Sequence, residues 1–296
     1  MAVISQFFRN VRRACWRGFQ HDALAVAKGA AFSSILTLFP ALMFSASILA
    51  TTHRASDYMA EVSAAVRIIF PPGTAQTAQA YFSRAAQRPI GVLILASLVA
   101  LWTASGVMIS WMEGFRNAYQ IPKTWGLVKE RLIAFGLVIM AGIPLTFATV
   151  LVAFGNQIET WMVTVLGHQF GPYVLLLWAT VRWLIAILTS VAVMQLIYHN
   201  AVPRILPWHT VLPGAALSTG VWFPVAMGFG WYVRHFAAYS LFYGSLATAV
   251  VLLIWLYLLS VIVLVGAEFN AVLYPRPVSG NSSGVMTAAG EKVGAR

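Results

Sequence analysis

The stretch SLATAVVLLIWLYLLSVIVLVGAEFNAVL, Ser245 to Leu273, is the longest apolar run in the chain and decides its class. About 20 apolar residues in a helix cross the hydrocarbon core of a bilayer, and this run is longer. Backbone N–H and C=O groups find no water there, so the run must be helical. Yet it closes on VLVGAEFNAVLYP, Val263–Pro275, which carries Glu268 and Asn270. A carboxylate at that depth needs a partner or a route to water.

Working outward, five further runs have comparable length: Gly29–Ala50, Ile90–Met112, Leu132–Phe154, Tyr173–Tyr198 and Val211–Val233. Apolar residues make up 60% of the 296-residue chain and charged residues 9%. A soluble domain holds about 45–50% and about 25%, and no soluble fold of this size hides the excess. The expected fold is all-α and integral to the membrane, with six transmembrane helices. Cys15 is the single cysteine, which excludes an intrachain disulfide and a cysteine-based metal cluster. No short apolar segment with a small-residue cleavage site precedes Gly29, so no cleaved signal peptide is expected.

Charge sets the direction. With the N-terminus in the cytoplasm, the inside segments carry 13 of the 19 Lys and Arg residues; Arg54, Arg67, Arg84, Arg88, Arg182 and Arg234 fall outside. The positive-inside rule therefore favours cytoplasmic N- and C-termini. The same distribution accounts for much of the +11 net charge, and no dense basic run interleaved with aromatics remains for a nucleic acid.

Three regions follow. Residues 1–27 form a basic flank in which Ile4, Phe7, Phe8, Val11, Cys15 and Phe19 recur at helical spacing, with Arg9, Arg12, Arg13 and Arg17 mostly off that face. This is either an interfacial helix drawn to anionic membrane lipid or a flank that only sets topology. Residues 28–273 form the membrane domain, whose outer loop over 51–89 is long enough to be functional and is the candidate contact for an envelope partner. Residues 274–296 are small and polar, and disorder is expected there.

Three stretches carry a family resemblance. HDALAVAKGAAFSSILTLFPAL from His21, VPRILPWHTVLPGAALSTGVW from Val202 and YSLFYGSLATAVVLLIWLYLLSVIVLVGAEFNAVL from Tyr239 resemble the first, fifth and last spans of the YihY/virulence factor BrkB family of bacterial inner-membrane proteins. The last is the most specific, because Tyr243, Gly244, Ser245, Gly266, Glu268 and Asn270 punctuate an otherwise apolar helix. In the first, Phe32 is followed by Ser33 and Ser34 where the signature is more aromatic. The resemblance implies six helices with both ends in the cytoplasm of the bacterial plasma membrane. It implies no firm activity: members have been labelled ribonuclease BN, widely regarded as an error, and others are described as transporters or envelope and virulence factors.

A metal-dependent nuclease clusters His and Asp around a metal-bound water. The histidines here are His21, His53, His168, His199, His209 and His235, and no two stand three or four residues apart. His199 and His209, which share a short loop, are the one pair that could serve as acid and base without metal. No phosphate-binding Gly-x-x-x-x-Gly-Lys loop occurs. No enzyme, metal or cofactor is expected.

The charges near the membrane are the candidate substrate or gate residues. Lys28, Glu113, Arg116, Glu130, Arg131 and Glu268 all fall at the cytoplasmic boundary in this topology. They form either a structural ion-pair belt or a gate, with Glu268 as a possible proton-coupling group. Arg182 lies deeper, about 13 Å into its span at 1.5 Å per residue. It either snorkels outward beside Trp178 and Trp183 or faces a cavity, where its fork would suit a phosphate or carboxylate.

Pro40, Pro144 and Pro224 interrupt the first, third and fifth spans at similar depth, and the even spans have no internal proline. Each proline frees the carbonyl four residues back, at Leu36, Met140 and Gly220, with Thr37, Thr146 and Thr219 within reach. Three hairpins of a kinked and a straight helix are expected, the kinked ones lining a cavity and the straight ones facing lipid. The sequence thus points to a carrier or flippase-like transporter of an anionic or amphiphilic envelope component. A scaffold acting through the 51–89 loop is the alternative, and a ribonuclease the third reading.

Overall fold

The computed structural model describes residues 2–50, 90–153, 171–203, 206–235 and 239–275. The 51–89 loop and the tail from 276 lie outside the described residues. Those described form seven helices and no strand: α1 Ala2–Gln20, α2 Ala23–Ala50, α3 Ile90–Tyr119, α4 Leu127–Ala153, α5 Gly171–Asn200, α6 Trp208–His235 and α7 Tyr239–Leu273. The six from α2 to α7 are long and apolar enough to cross a membrane. They correspond to the six expected spans, and nearly all extend past the expected bounds. A helix continues beyond the apolar core into the headgroup zone, where Lys and Glu are stable.

Short turns reverse the chain at the end that carries α1. Asp22 adopts a left-handed backbone (φ 57°) between α1 and α2, and its carbonyl accepts the N–H groups of Ala25 and Val26. At the end of α3, Gln120 is also left-handed. Ile121 N–H bonds Arg116 O and Gln120 N–H bonds Asn117 O, the paired closure that caps helix C-termini. Pro122 then prevents continuation.

Each helix from α2 to α6 packs on the next, and α7 returns to α2, so the six close into a ring in chain order. α2 and α3 pair most extensively, while α5 packs on α4 and α6 alike, so the contacts do not divide the ring into three separate hairpins. α7 also reaches α3 across the ring and packs against α1. The expectation that helices without internal proline face lipid fails for α7. One third (33%) of its spanning window is buried, against 6% for α5. The cause is local: Gly266, Ala267 and Ala271 leave α7 thin enough to be surrounded.

The hydrophobic core occupies the half of the ring nearest the termini. Met112, Phe115, Leu137, Tyr198, Val211 and Leu264 meet there, with Phe115 and Tyr198 edge to face at 5.1 Å between centroids.

Candidate functional site

Within that half, the buried polar groups are joined in three sets. The first answers the question posed by Glu268, which is 1% exposed. Its Oε1 lies 2.6 Å from His21 Nδ1, and its Oε2 lies 3.6 Å from Arg17 Nε. Its partners are thus the end of α1 and the turn after it, not Lys28, Arg116 or Arg131. Ala14 and Gly18 give α1 a flat buried face against α7, and Phe7 meets Phe269 edge to face. The carboxylate therefore latches α1 to α7.

The second set joins α3 to α4. Arg116 and Glu130 form a buried ion pair, which Lys123 completes at 3.0 Å from Glu130. Arg131 points elsewhere: it donates to Ser105 Oγ at 3.1 Å and lies 4.2 Å from the centre of the Trp102 ring. Lys28 and Glu113 are exposed and make no ion pair among the described residues. The expected belt is instead two separate ion-pair clusters, Arg131 held apart on Ser105 and Trp102, and two exposed charges.

The third set joins α5, α6 and α7. Pro213 lies inside α6 and can donate no N–H. Beside it, Asn270 uses both ends of its amide on the α6 backbone: Oδ1 accepts Gly214 N–H at 2.6 Å, and Nδ2 donates to Val211 O at 3.1 Å. One turn along, Tyr198 OH donates to Val263 O at 2.7 Å and meets Ser218 Oγ at 2.9 Å. Gly214 and Gly266 let the two backbones touch. A Cβ on Gly214 would stand 2.1 Å from Gly266 O, and one on Gly266 would stand 1.9 Å from Ser218 Oγ. Gly266, Glu268 and Asn270 thus have structural partners; the side chains of Tyr243, Gly244 and Ser245 lie outside those described.

Farther from the termini, four residues lie at similar distances along their helices. Pro40, Pro144 and Pro224 lie 17, 17 and 16 residues from the near ends of their helices, and Arg182 lies 18 from that of α5. At 1.5 Å per residue, all four stand about 24–27 Å along their helices. Arg182, Pro40 and Pro144 are half-buried, and Pro224 is exposed. The threonines do not serve the freed carbonyls as expected. Thr37 donates to Ser33 O at 2.7 Å in its own helix, Thr146 is exposed, and buried Thr219 Oγ1 has no hydrogen-bond partner among the described residues.

Of the possible nuclease pair, His199 bonds Leu206 O and stacks on Trp208 at 4.2 Å, while His209 stands against Tyr274. Among the described residues no three His, Cys, Asp or Glu side chains are grouped to hold a metal.

The sequence singled out Glu268, Asn270 and Arg116 but missed His21, Arg17, Lys123, Tyr198 and Pro213. Pairing across 247 residues, as between His21 and Glu268, leaves no local pattern. A better signal was available for Pro213: a helix break in one span and an amide in another are complementary.

A ring of six apolar helices, locked at one end by buried polar clusters, defines a multi-pass α-helical membrane protein. The chain belongs to the virulence factor BrkB family, which matches residues 15–287. It is 28% identical over 257 residues to the "Putative ribonuclease-like protein YfkH" of Bacillus subtilis (strain 168), covering 86% of this chain and 92% of that one. It is 30% identical over 266 residues to a UPF0761 membrane protein of Tolumonas auensis, covering 87% and 83%. A longer UPF0761 membrane protein of Xanthomonas axonopodis pv. citri is 26% identical over 267 residues, which is 86% of this chain and 59% of that relative. No solved structure matches.

Proposed function

We propose that the protein is a carrier for an anionic amphiphile of the bacterial envelope, seated in the inner membrane with both termini in the cytoplasm. The observation that carries this reading is the matched position of Arg182 and the three prolines along their helices, just beyond the packed half of the ring. Prolines at matched positions weaken three alternate helices where a pathway would need backbone carbonyls and bending. A half-buried guanidinium at a matching position attracts phosphate or carboxylate and repels cations. The packed half acts as the closed end, and the Lys and Arg distribution supports its cytoplasmic side. Reporter fusions at the C-terminus and in the 51–89 loop test that orientation; an outward C-terminus would overturn it.

The ribonuclease-like name of the Bacillus relative gains no support here, because His199 and His209 are engaged with different partners.

The functional test is exchange of a fluorescent anionic phospholipid between leaflets of vesicles holding the purified protein. Wild type should accelerate exchange. Arg182→Lys should remain folded and lose on the order of tenfold in rate, because a point charge replaces a two-donor fork. Exchange no faster than in empty vesicles would remove the carrier reading for this lipid class and favour a scaffold acting through the 51–89 loop.

A further inference from the structure

We infer that α1 and the end of α7 form a binding site for the phosphate headgroup of an anionic phospholipid. A groove of about 460 Å³ lies between them, lined by Arg12, Arg13, Trp16, Arg17 and Val272. Three guanidiniums share this groove, and α1 contains no acidic residue. The nearest carboxylate in the network, Glu268, is already held by His21 and stands 3.6 Å from Arg17 Nε. Arg12 and Arg13 are exposed and form no ion pair among the described residues. Three cations side by side repel one another, and a phosphate between them reverses the sign of that interaction. Arginine forks grip phosphate oxygens through paired donors.

The surroundings select a lipid rather than a soluble anion. Trp16 and Val272 give the groove an apolar wall. Round the same helix, Ile4, Phe8 and Phe19 form an arc that is 64%, 66% and 65% exposed. A free phosphate has no use for that arc. A phospholipid whose acyl chains lie under it, with its phosphate in the groove, satisfies both faces of an interfacial helix. α1 is fixed for this purpose by the Glu268 latch and by its buried Ala14 and Gly18, so the groove is preformed. The site stands at the opposite end of the packed half from Arg182 and does not depend on the carrier reading.

The test offers phosphatidylglycerol and phosphatidylcholine together to the full chain in neutral detergent and counts retained lipids by native mass spectrometry. Wild type should prefer phosphatidylglycerol. The double variant Arg12→Gln, Arg13→Gln should lose about thirtyfold of that preference, since each arginine near a headgroup contributes on the order of 1 kcal/mol. Arg9→Gln, on the same helix but outside the groove, should keep it. Trp16→Ala, with every charge retained, should weaken retention of both lipids. An equal loss in Arg9→Gln would reduce the site to diffuse charge and overturn the proposal. So would full preference in the double variant, unchanged retention in Trp16→Ala, or displacement of the lipid by inorganic phosphate alone.

Discussion

The two halves of the ring are built from the same six helices and pack differently. Near the termini, α6 and α7 touch backbone to backbone at Gly214 and Gly266, and Asn270, Tyr198 and Ser218 stitch them together. Farther along α6, Gly220 and Gly228 have nothing within 4 Å of where a Cβ would stand, and few described side chains in that half are fully buried. Lipid tails are as apolar as leucine, so burial alone does not draw helices together in a membrane; small residues and interhelical hydrogen bonds do. Where the sequence supplies glycine against glycine with an amide beside it, the helices lock. Where it supplies neither, they are free to part.

Alanine at the glycines should break this comparison if it is wrong, and should give the largest effect. Gly266→Ala forces a methyl onto Ser218 and Tyr198 and should cost at least about 3 kcal/mol, the upper range for overpacking. Gly228→Ala should stabilise by up to about 1 kcal/mol, as alanine does in a helix. Thermal unfolding of both variants in detergent measures the contrast, and equal effects would mean that the two halves pack alike.

The Glu268 latch comes next. Glu268→Ala leaves His21 and Arg17 facing an empty site and should cost about 3 kcal/mol, as for breaking a buried pair. Glu268→Gln keeps an acceptor for His21, and about half that loss is expected. Folded yield and unfolding temperature rank the two. If both variants fold as wild type yet fail to restore function to a cell lacking the protein, the latch is a gate and not a strut. The smallest effect is expected for Arg182→Lys, which should change stability by less than about 0.5 kcal/mol while lowering lipid exchange. A large loss of stability there would assign Arg182 to the packing instead.

The fold was legible because six apolar runs of spanning length admit one kind of structure. Helix ends were less so: the apolar run stops near Gly29, but α2 begins at Ala23, since lipid contact and helicity end at different residues. The polar residues of the last span were legible as requiring partners, and their identity was not. Lys28, Arg116 and Arg131 share the boundary with Glu268 in sequence, yet a two-residue turn at Asp22 brings His21 and Arg17 closer. Asn270 and Gly214 lie 56 residues apart, and only the crossing of two helices makes them neighbours.

Amide hydrogen exchange along α6 tests most directly the claim that the ring is sealed in one half only. The full chain would be held in lipid nanodiscs and exchange followed by mass spectrometry for the stretch Val211 to Thr219 and the stretch Gly220 to Gly230. Both lie at membrane depth, so lipid protects them alike and only packing or water inside the ring separates them. The account predicts that the second stretch exchanges at least about tenfold faster, as expected for a segment whose opening is easier by about 1.4 kcal/mol. Equal protection of the two stretches would contradict it, and the bundle would then be solid from end to end.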